Sequence, residues 1–111
     1  MENNEELVMK AFEIIACVGT ARSQYIEAIH AAKDGDFDRA DQLMKEGGEA
    51  FLEGHDAQAH LVQREAGGDP VTMTLMLTHA EDQLMSAEGF KIIAEEMIDL
   101  CHRVDVRPRE Q

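Results

Sequence analysis

The chain predicts an all-α fold, an antiparallel bundle of three helices, on three observations. Apolar residues recur at alternating spacings of four and three along three long stretches, and two short Gly/Asp clusters separate those stretches. The composition is 44% hydrophobic but only 5% aromatic, with no Trp, two Pro and seven Met, a balance that favours helices packed closely through small and flexible side chains. At 111 residues the chain reads as one domain over 1–111, long enough to bury a core and too short for a second.

The first helix is expected over roughly residues 4–33. Leu7, Ala11, Ile14, Val18, Ala21, Tyr25, Ala28 and Ala32 follow one face, and a second stripe, Val8, Phe12, Ile15, Ile26 and Ile29, runs beside it. Two stripes imply burial against more than one neighbour. Asn3 and Glu6 are spaced as a capping pair, and Asp34-Gly35-Asp36 is the stop. Gly35 is suited to end this helix in a left-handed conformation while Asp36 caps the next, so the first two helices are expected to lie antiparallel.

The second helix is expected over 37–66, with Phe37, Ala40, Met44, Gly47, Phe51, Gly54, Gln58 and Leu61 on one side and Leu43, Ala50 and Ala57 alongside. Gly47 and Gly54 sit on the apolar stripe, where a missing side chain admits a neighbouring backbone; Gly48 lies off it. Gly67-Gly68-Asp69-Pro70 is the second break. Asp69 reads as the N-cap and Pro70 as the first residue of a third helix over 70–104, carrying Met73, Met76, Leu77, Ala80, Leu84, Ala87, Ala94, Ile98 and Cys101. Residues 105–111 are expected to form a flexible tail. The surplus apolar stripes suggest that such bundles associate further.

Ten Lys+Arg against 23 Asp+Glu leave a formal net charge of -13, which repels phosphate backbones and anionic lipid headgroups. Nucleic acid and membrane surfaces are thereby poor partners, and no run reaches the roughly 18 apolar residues needed to cross a bilayer. The acidic opening lacks the basic-then-apolar pattern of a secretory signal, so Cys17 and Cys101 are expected to be reduced thiols in a cytoplasmic protein.

Candidate chemistry rests on five histidines. His102, beside Arg103 at a helix end, is expected on the surface, where the dipole favours it. His30 follows Glu27 in the Glu-x-x-His spacing of di-iron bundles, but that motif occurs once on three helices and not twice on four. His55 and Gln58 lie one turn apart toward the apolar seam, as a polar contact or the wall of a groove, and His60 lies on the same helix. His79 stands three residues before Asp82, hence on one helical face with it, in Met76-Leu77-Thr78-His79-Ala80-Glu81-Asp82-Gln83-Leu84-Met85. An imidazole there is either structural or a nucleophile toward phosphorus. No Lys or Arg occurs between Arg64 and Lys91, so a phosphoryl group on His79 is expected to lack local cationic clamps, which fits a relay better than a holding site.

His79-Ala80-Glu81-Asp82-Gln83-Leu84-Met85 closely resembles the active-histidine signature of the lactose/cellobiose-type enzyme IIA components of the bacterial phosphoenolpyruvate-dependent sugar phosphotransferase system. Gly35-Asp36-Phe37-Asp38-Arg39-Ala40, His55-x-x-Gln58 and Gln63-Arg64-Glu65-Ala66-Gly67 are similar to that family too, so the resemblance spans roughly residues 5 to 104. It implies a homotrimer of three-helix bundles whose third helices meet on a threefold axis. His79 would accept a phosphoryl group from phospho-HPr, by family precedent on Nε2, and deliver it to a cysteine of a cognate IIB component that serves a membrane IIC permease for a β-linked disaccharide. Asp82 would lie at the axis, three copies sharing one divalent cation such as Mg²⁺; three close carboxylates could not all stay ionised without a compensating charge.

Two positions depart from the pattern: Gln83 stands where a second histidine is frequent, and Glu81 where an uncharged amide is frequent. Gln83 can donate a hydrogen bond to a phosphate but cannot titrate near neutrality. Two other readings of the chain remain at this stage. One is a non-catalytic, metal-stabilised oligomer in which His79 only packs; the other is a two-component histidine phosphotransfer domain, against which the acidic residues after His79 speak.

Overall fold

The computed structural model describes residues 2–105, with side chains from Glu5 onward. It holds three helices, α1 (Glu2–Lys33), α2 (Phe37–Ala66) and α3 (Leu75–Arg103), and no strand among the described residues. They form a rod of 64 × 20 × 19 Å. The side chain of Asn3 and residues 106–111 lie outside the described residues, and with them the expected capping pair and tail.

The long stripe on α1 is the centre of the molecule. Leu7, Ala11, Ile14, Val18, Ala21, Tyr25, Ala28 and Ala32 are each at most 2% exposed, as the spacing predicts, and α1 packs against both other helices while α2 and α3 meet along a narrower edge. Three clusters fill the interior. Leu7, Ile14, Val18, Leu61, Leu77 and Leu84 lie toward one end, Ala21, Tyr25 and Ala94 in the middle, and Ala28, Ala32, Leu43 and Ile98 toward the other.

The alanines and glycines set the spacing between helices. A Cβ added to Gly47 would lie 2.6 Å from Cε1 of Tyr25, and one on Gly54 3.0 Å from Cγ1 of Val18, so both glycines make room for α1, whereas Gly48 faces open space. The first turn is also as expected. Gly35 takes a φ of +83°, and the Asp36 side chain accepts a 3.2 Å hydrogen bond from the Arg39 backbone N–H.

The start of the third helix differs from the sequence reading. Asp69 and Pro70 do not open it: α3 begins at Leu75, capped by Thr74, whose Oγ1 accepts from the Leu77 N–H at 3.1 Å. Asp69 instead lies 2.8 Å from Nε of Arg64, closing the end of α2, and Gly68 turns the chain with a φ of +97°. The physical reason is the segment that follows Pro70. Val71 packs on the core cluster at this end, and β-branched Val71, Thr72 and Thr74 favour extended backbone, which delays the helix until a threonine satisfies its first free N–H groups. Met73 consequently lies before the helix and is 56% exposed, not part of a buried stripe.

Candidate functional site

His79 sits in the second turn of α3 and is exposed. Buried Leu77, Ala80 and Leu84 hold this part of α3 on α1 and α2, so the imidazole projects from a stretch of helix anchored to the core. Leu75 and Met76, one turn earlier, are 87% and 37% exposed and make the approach to His79 apolar. Beyond them lies a groove of about 310 Å³ between the end of α2 and the start of α3, with Val62, Val71 and Met73 on its apolar side and Glu65 and Glu81 on its polar side.

Asp82 is exposed on the same outer side of α3 as His79. Leu75, His79, Asp82, Ser86, Gly89, Ile93, Glu96 and Leu100 follow one another at alternating spacings of four and three, and all are exposed. That is the heptad periodicity of a helix seam. Nothing lies within 4 Å of a Cβ added at Gly89, and Ile93 and Leu100 are 58% and 52% exposed. The described residues of a single chain thus leave the stripe uncovered.

The two residues flanking Asp82 turn to different helices. Glu81, half-buried, accepts a 3.3 Å hydrogen bond from Nε2 of Gln58 on α2. Gln83, also half-buried, accepts one at 2.6 Å from Nη2 of Arg22 on α1, while its own amide NH₂ donates to no described residue. An arginine can only donate, so this bond identifies the oxygen of the Gln83 amide. The cation beside Gln83 therefore comes from α1, outside the stretch between Arg64 and Lys91 that holds no Lys or Arg. The sequence carried a signal for it: Val8, Phe12, Ile15, Gly19, Arg22, Ile26 and Ile29 are in one register, and Arg22 is the one charge in that stripe.

The other histidines are scattered. His55 is exposed, its ring tilted against Phe51 at 6.2 Å, and it shares no hydrogen bond with Gln58. His30 lies 3.9 Å from Glu27 with both side chains more than half exposed. His60 is exposed. His102 is exposed at the end of α3 as expected, and in addition stacks on Phe37 with ring centroids 3.7 Å apart. Cys17 and Cys101 are free thiols; burial, then the hydrogen bond and charge of Glu53, pushes the Cys17 thiol up from its ordinary value. Among the described residues no three His, Cys, Asp or Glu side chains converge as a metal site within the chain. No described helix is long and apolar enough to cross a membrane.

Comparison with known proteins bears on this geometry. Residues 9–102 match the family described as "PTS system, Lactose/Cellobiose specific IIA subunit". The "PTS system lactose-specific EIIA component" of Staphylococcus epidermidis is 38% identical over 98 residues, covering 88% of this chain and 94% of that protein. Its counterpart from Lactococcus lactis subsp. lactis is 38% identical over 101 residues, covering 91% and 96%. Among solved structures, the PTS cellobiose-specific enzyme IIA from Bacillus anthracis superposes with a TM-score of 0.86 at 37% identity, covering 90% of this chain and 92% of that one. Three packed helices, an exposed histidine on the third and matches over most of the length agree on one conclusion: the chain belongs to the lactose/cellobiose-specific IIA subunit family of the sugar phosphotransferase system.

Proposed function

We propose that this IIA subunit is a cytoplasmic phosphocarrier that takes a phosphoryl group from phospho-HPr onto His79 and passes it to the cysteine of a IIB component, which serves a membrane IIC permease during uptake of a β-linked disaccharide. The observation that carries the reading is the exposed imidazole of His79, on a helix anchored to the core and within the residues that match the family. A packing role for His79 would require a buried ring.

The chemistry needs little apparatus. A lone pair on His79 attacks phosphorus in line; the new N–P bond forms as the donor's N–P bond breaks, and the donor histidine keeps the electron pair. In the second step the IIB thiolate attacks, an S–P bond forms, and His79 leaves as the neutral imidazole. Catalysis is then mainly positioning. The apolar approach formed by Leu75 and Met76 gives two successive partners a surface to dock on without a fixed charge pattern of its own.

From Asp82 to Leu100 the exposed stripe of α3 is also the surface on which three copies would meet, with Leu75 and His79 left open to partners. Small Ser86 and Gly89 let helices approach, Ile93 and Leu100 supply apolar contact, and Asp82 would bring three carboxylates to the axis. The donor set fits a hard divalent cation such as Mg²⁺: each carboxylate offers oxygen, water can complete the shell, and the described residues of one chain alone bring too few ligands together. Such a cation would neutralise the carboxylates that the trimer brings together.

The test is incubation of the purified protein with phosphoenolpyruvate, enzyme I and HPr. An acid-labile phosphate is expected on the wild type and none on His79→Ala; no label on the wild type, or equal label on both, overturns the carrier reading. Asp82→Asn is expected to abolish cation binding measured by calorimetry, and a monomer without bound cation in sedimentation would overturn the axial site.

A further inference from the structure

We propose that Arg22 of α1, held by the side-chain oxygen of Gln83, is the cation that binds the phosphoryl group carried by His79; the proposal rests on His79 being the phosphorylated residue. Gln83 follows His79 by four residues, so the two side chains are neighbours on one flank of α3, about 6 Å apart at their Cβ atoms. Arg22 Nη2 lies 2.6 Å from Oε1 of Gln83, so the guanidinium is anchored at the residue one turn beyond His79.

Three further facts single the group out. The chain carries a net charge of -13, yet Arg22 is half-buried in the seam between α1 and α3. None of the ion pairs of the described residues includes it. Its bond to Gln83 uses one of five N–H donors, and no other described acceptor takes the rest. A half-buried guanidinium without a carboxylate has donors to spare for an anion, and a phosphoryl group offers three acceptor oxygens in the planar match that arginine makes well.

Gln83 completes the arrangement. With its oxygen committed to Arg22, its NH₂ is the edge left over, so both residues of the pair keep donors for an anion. A titratable side chain at position 83 is not needed for this task. The neighbours Glu81 and Asp82 point elsewhere, Glu81 to Gln58 on α2 and Asp82 outward, and their charges are common to every variant compared below.

The experiment phosphorylates the full-length protein with potassium phosphoramidate, which needs no partner protein, and follows by phosphorus NMR the resonance that His79→Ala removes. The pH titration of that resonance reads the second ionisation of the phosphoryl group. In Arg22→Gln its proton affinity is expected to rise about tenfold, because an opposite charge nearby favours the dianion, and Arg22→Lys is expected to restore part of the difference. The equilibrium of transfer from phospho-HPr is expected to move against the Arg22→Gln protein about five- to tenfold. An identical titration in wild type and Arg22→Gln, with or without a change in thermal stability, reduces Arg22 to a packing residue and overturns the proposal. So does the absence of any resonance dependent on His79. If the titration differs but phospho-HPr does not label the wild type, Arg22 stands and the carrier reading falls.

Discussion

Gly47 and Gly48 are adjacent and chemically identical, yet the structure gives them opposite roles. A methyl at Gly47 would meet the Tyr25 ring at 2.6 and 2.9 Å, and a buried aromatic ring can yield only by moving α1. Gly47→Ala is therefore expected to destabilise by about 1–3 kcal/mol, and Gly48→Ala, with open space and better helix propensity, to stabilise by about 0.5–1 kcal/mol, both read from chemical denaturation. Tyr25 itself is fully buried, and its hydroxyl has no hydrogen-bond partner among the described residues. Burial first, and the charge of Glu95 second, push its phenol up from the ordinary value near 10. The folded state thus holds this proton more tightly than the unfolded chain. The resulting stability is complete below about pH 10 and falls as pH rises through the folded-state value. Tyr25→Phe is expected to be neutral or up to about 1 kcal/mol more stable at pH 7 and to soften the alkaline decline in melting temperature. Since the chain has one Tyr and no Trp, the phenolate absorbance of this group can be followed directly. The sequence marked Gly47 through its place on an apolar stripe. It could not mark the buried hydroxyl, because Tyr25 falls on the core register whether or not its oxygen finds a partner.

The three elements differ in how legible they were. α1 and α2 have one strong stop between them, Gly35 followed by Asp36, and the structure uses both residues as read. α3 had two candidate starts, and the stronger-looking one, Asp69-Pro70, lost to Thr74 because Arg64 takes Asp69 and Val71 is drawn onto the core. Capping patterns are local, whereas those two competitors are tertiary. The cap matters for the site, since His79 lies only one turn beyond it. Thr74→Ala is expected to cost about 1 kcal/mol and to fray the first turn of α3, visible as faster amide exchange at Leu77 and Thr78. Arg22 was hidden for a related reason. It is 61 residues from Gln83 in sequence, and only the docking of α1 on α3 brings them together.

At the scale of the molecule, the interior explains one face of each helix and leaves others open. Val8 and Phe12 on α1 are 38% and 51% exposed, and Ile92 and Ile93 on α3 are 59% and 58% exposed. A bundle with 19 and 20 Å cross-sections has little interior to offer them. If the α3 stripe is the seam of a trimer, Ile93→Glu should dissociate it while leaving the monomer helical, because Ile93 contributes nothing to the buried core of one chain. Sedimentation and circular dichroism together check this: a variant that stays trimeric moves the seam elsewhere, and one that unfolds shows that the chain does not fold alone. The heptad register of that stripe was present in the sequence but masked, since Ser86, Gly89 and Glu96 do not look apolar.

The central position of α1 has a kinetic consequence. Its buried stripe runs from Leu7 to Ala32 and supports both partners, so neither α2 nor α3 can open fully without exposing it, whereas each outer helix can loosen with the other still in place. Hydrogen–deuterium exchange should accordingly run as a clock from the periphery inward, residues 67–74 first, the end of α2 next and the middle of α1 last. The part of the molecule beside His79 would be the earliest to breathe, so two partners of different shape could be accommodated at that end while the wall behind it keeps the histidine in register.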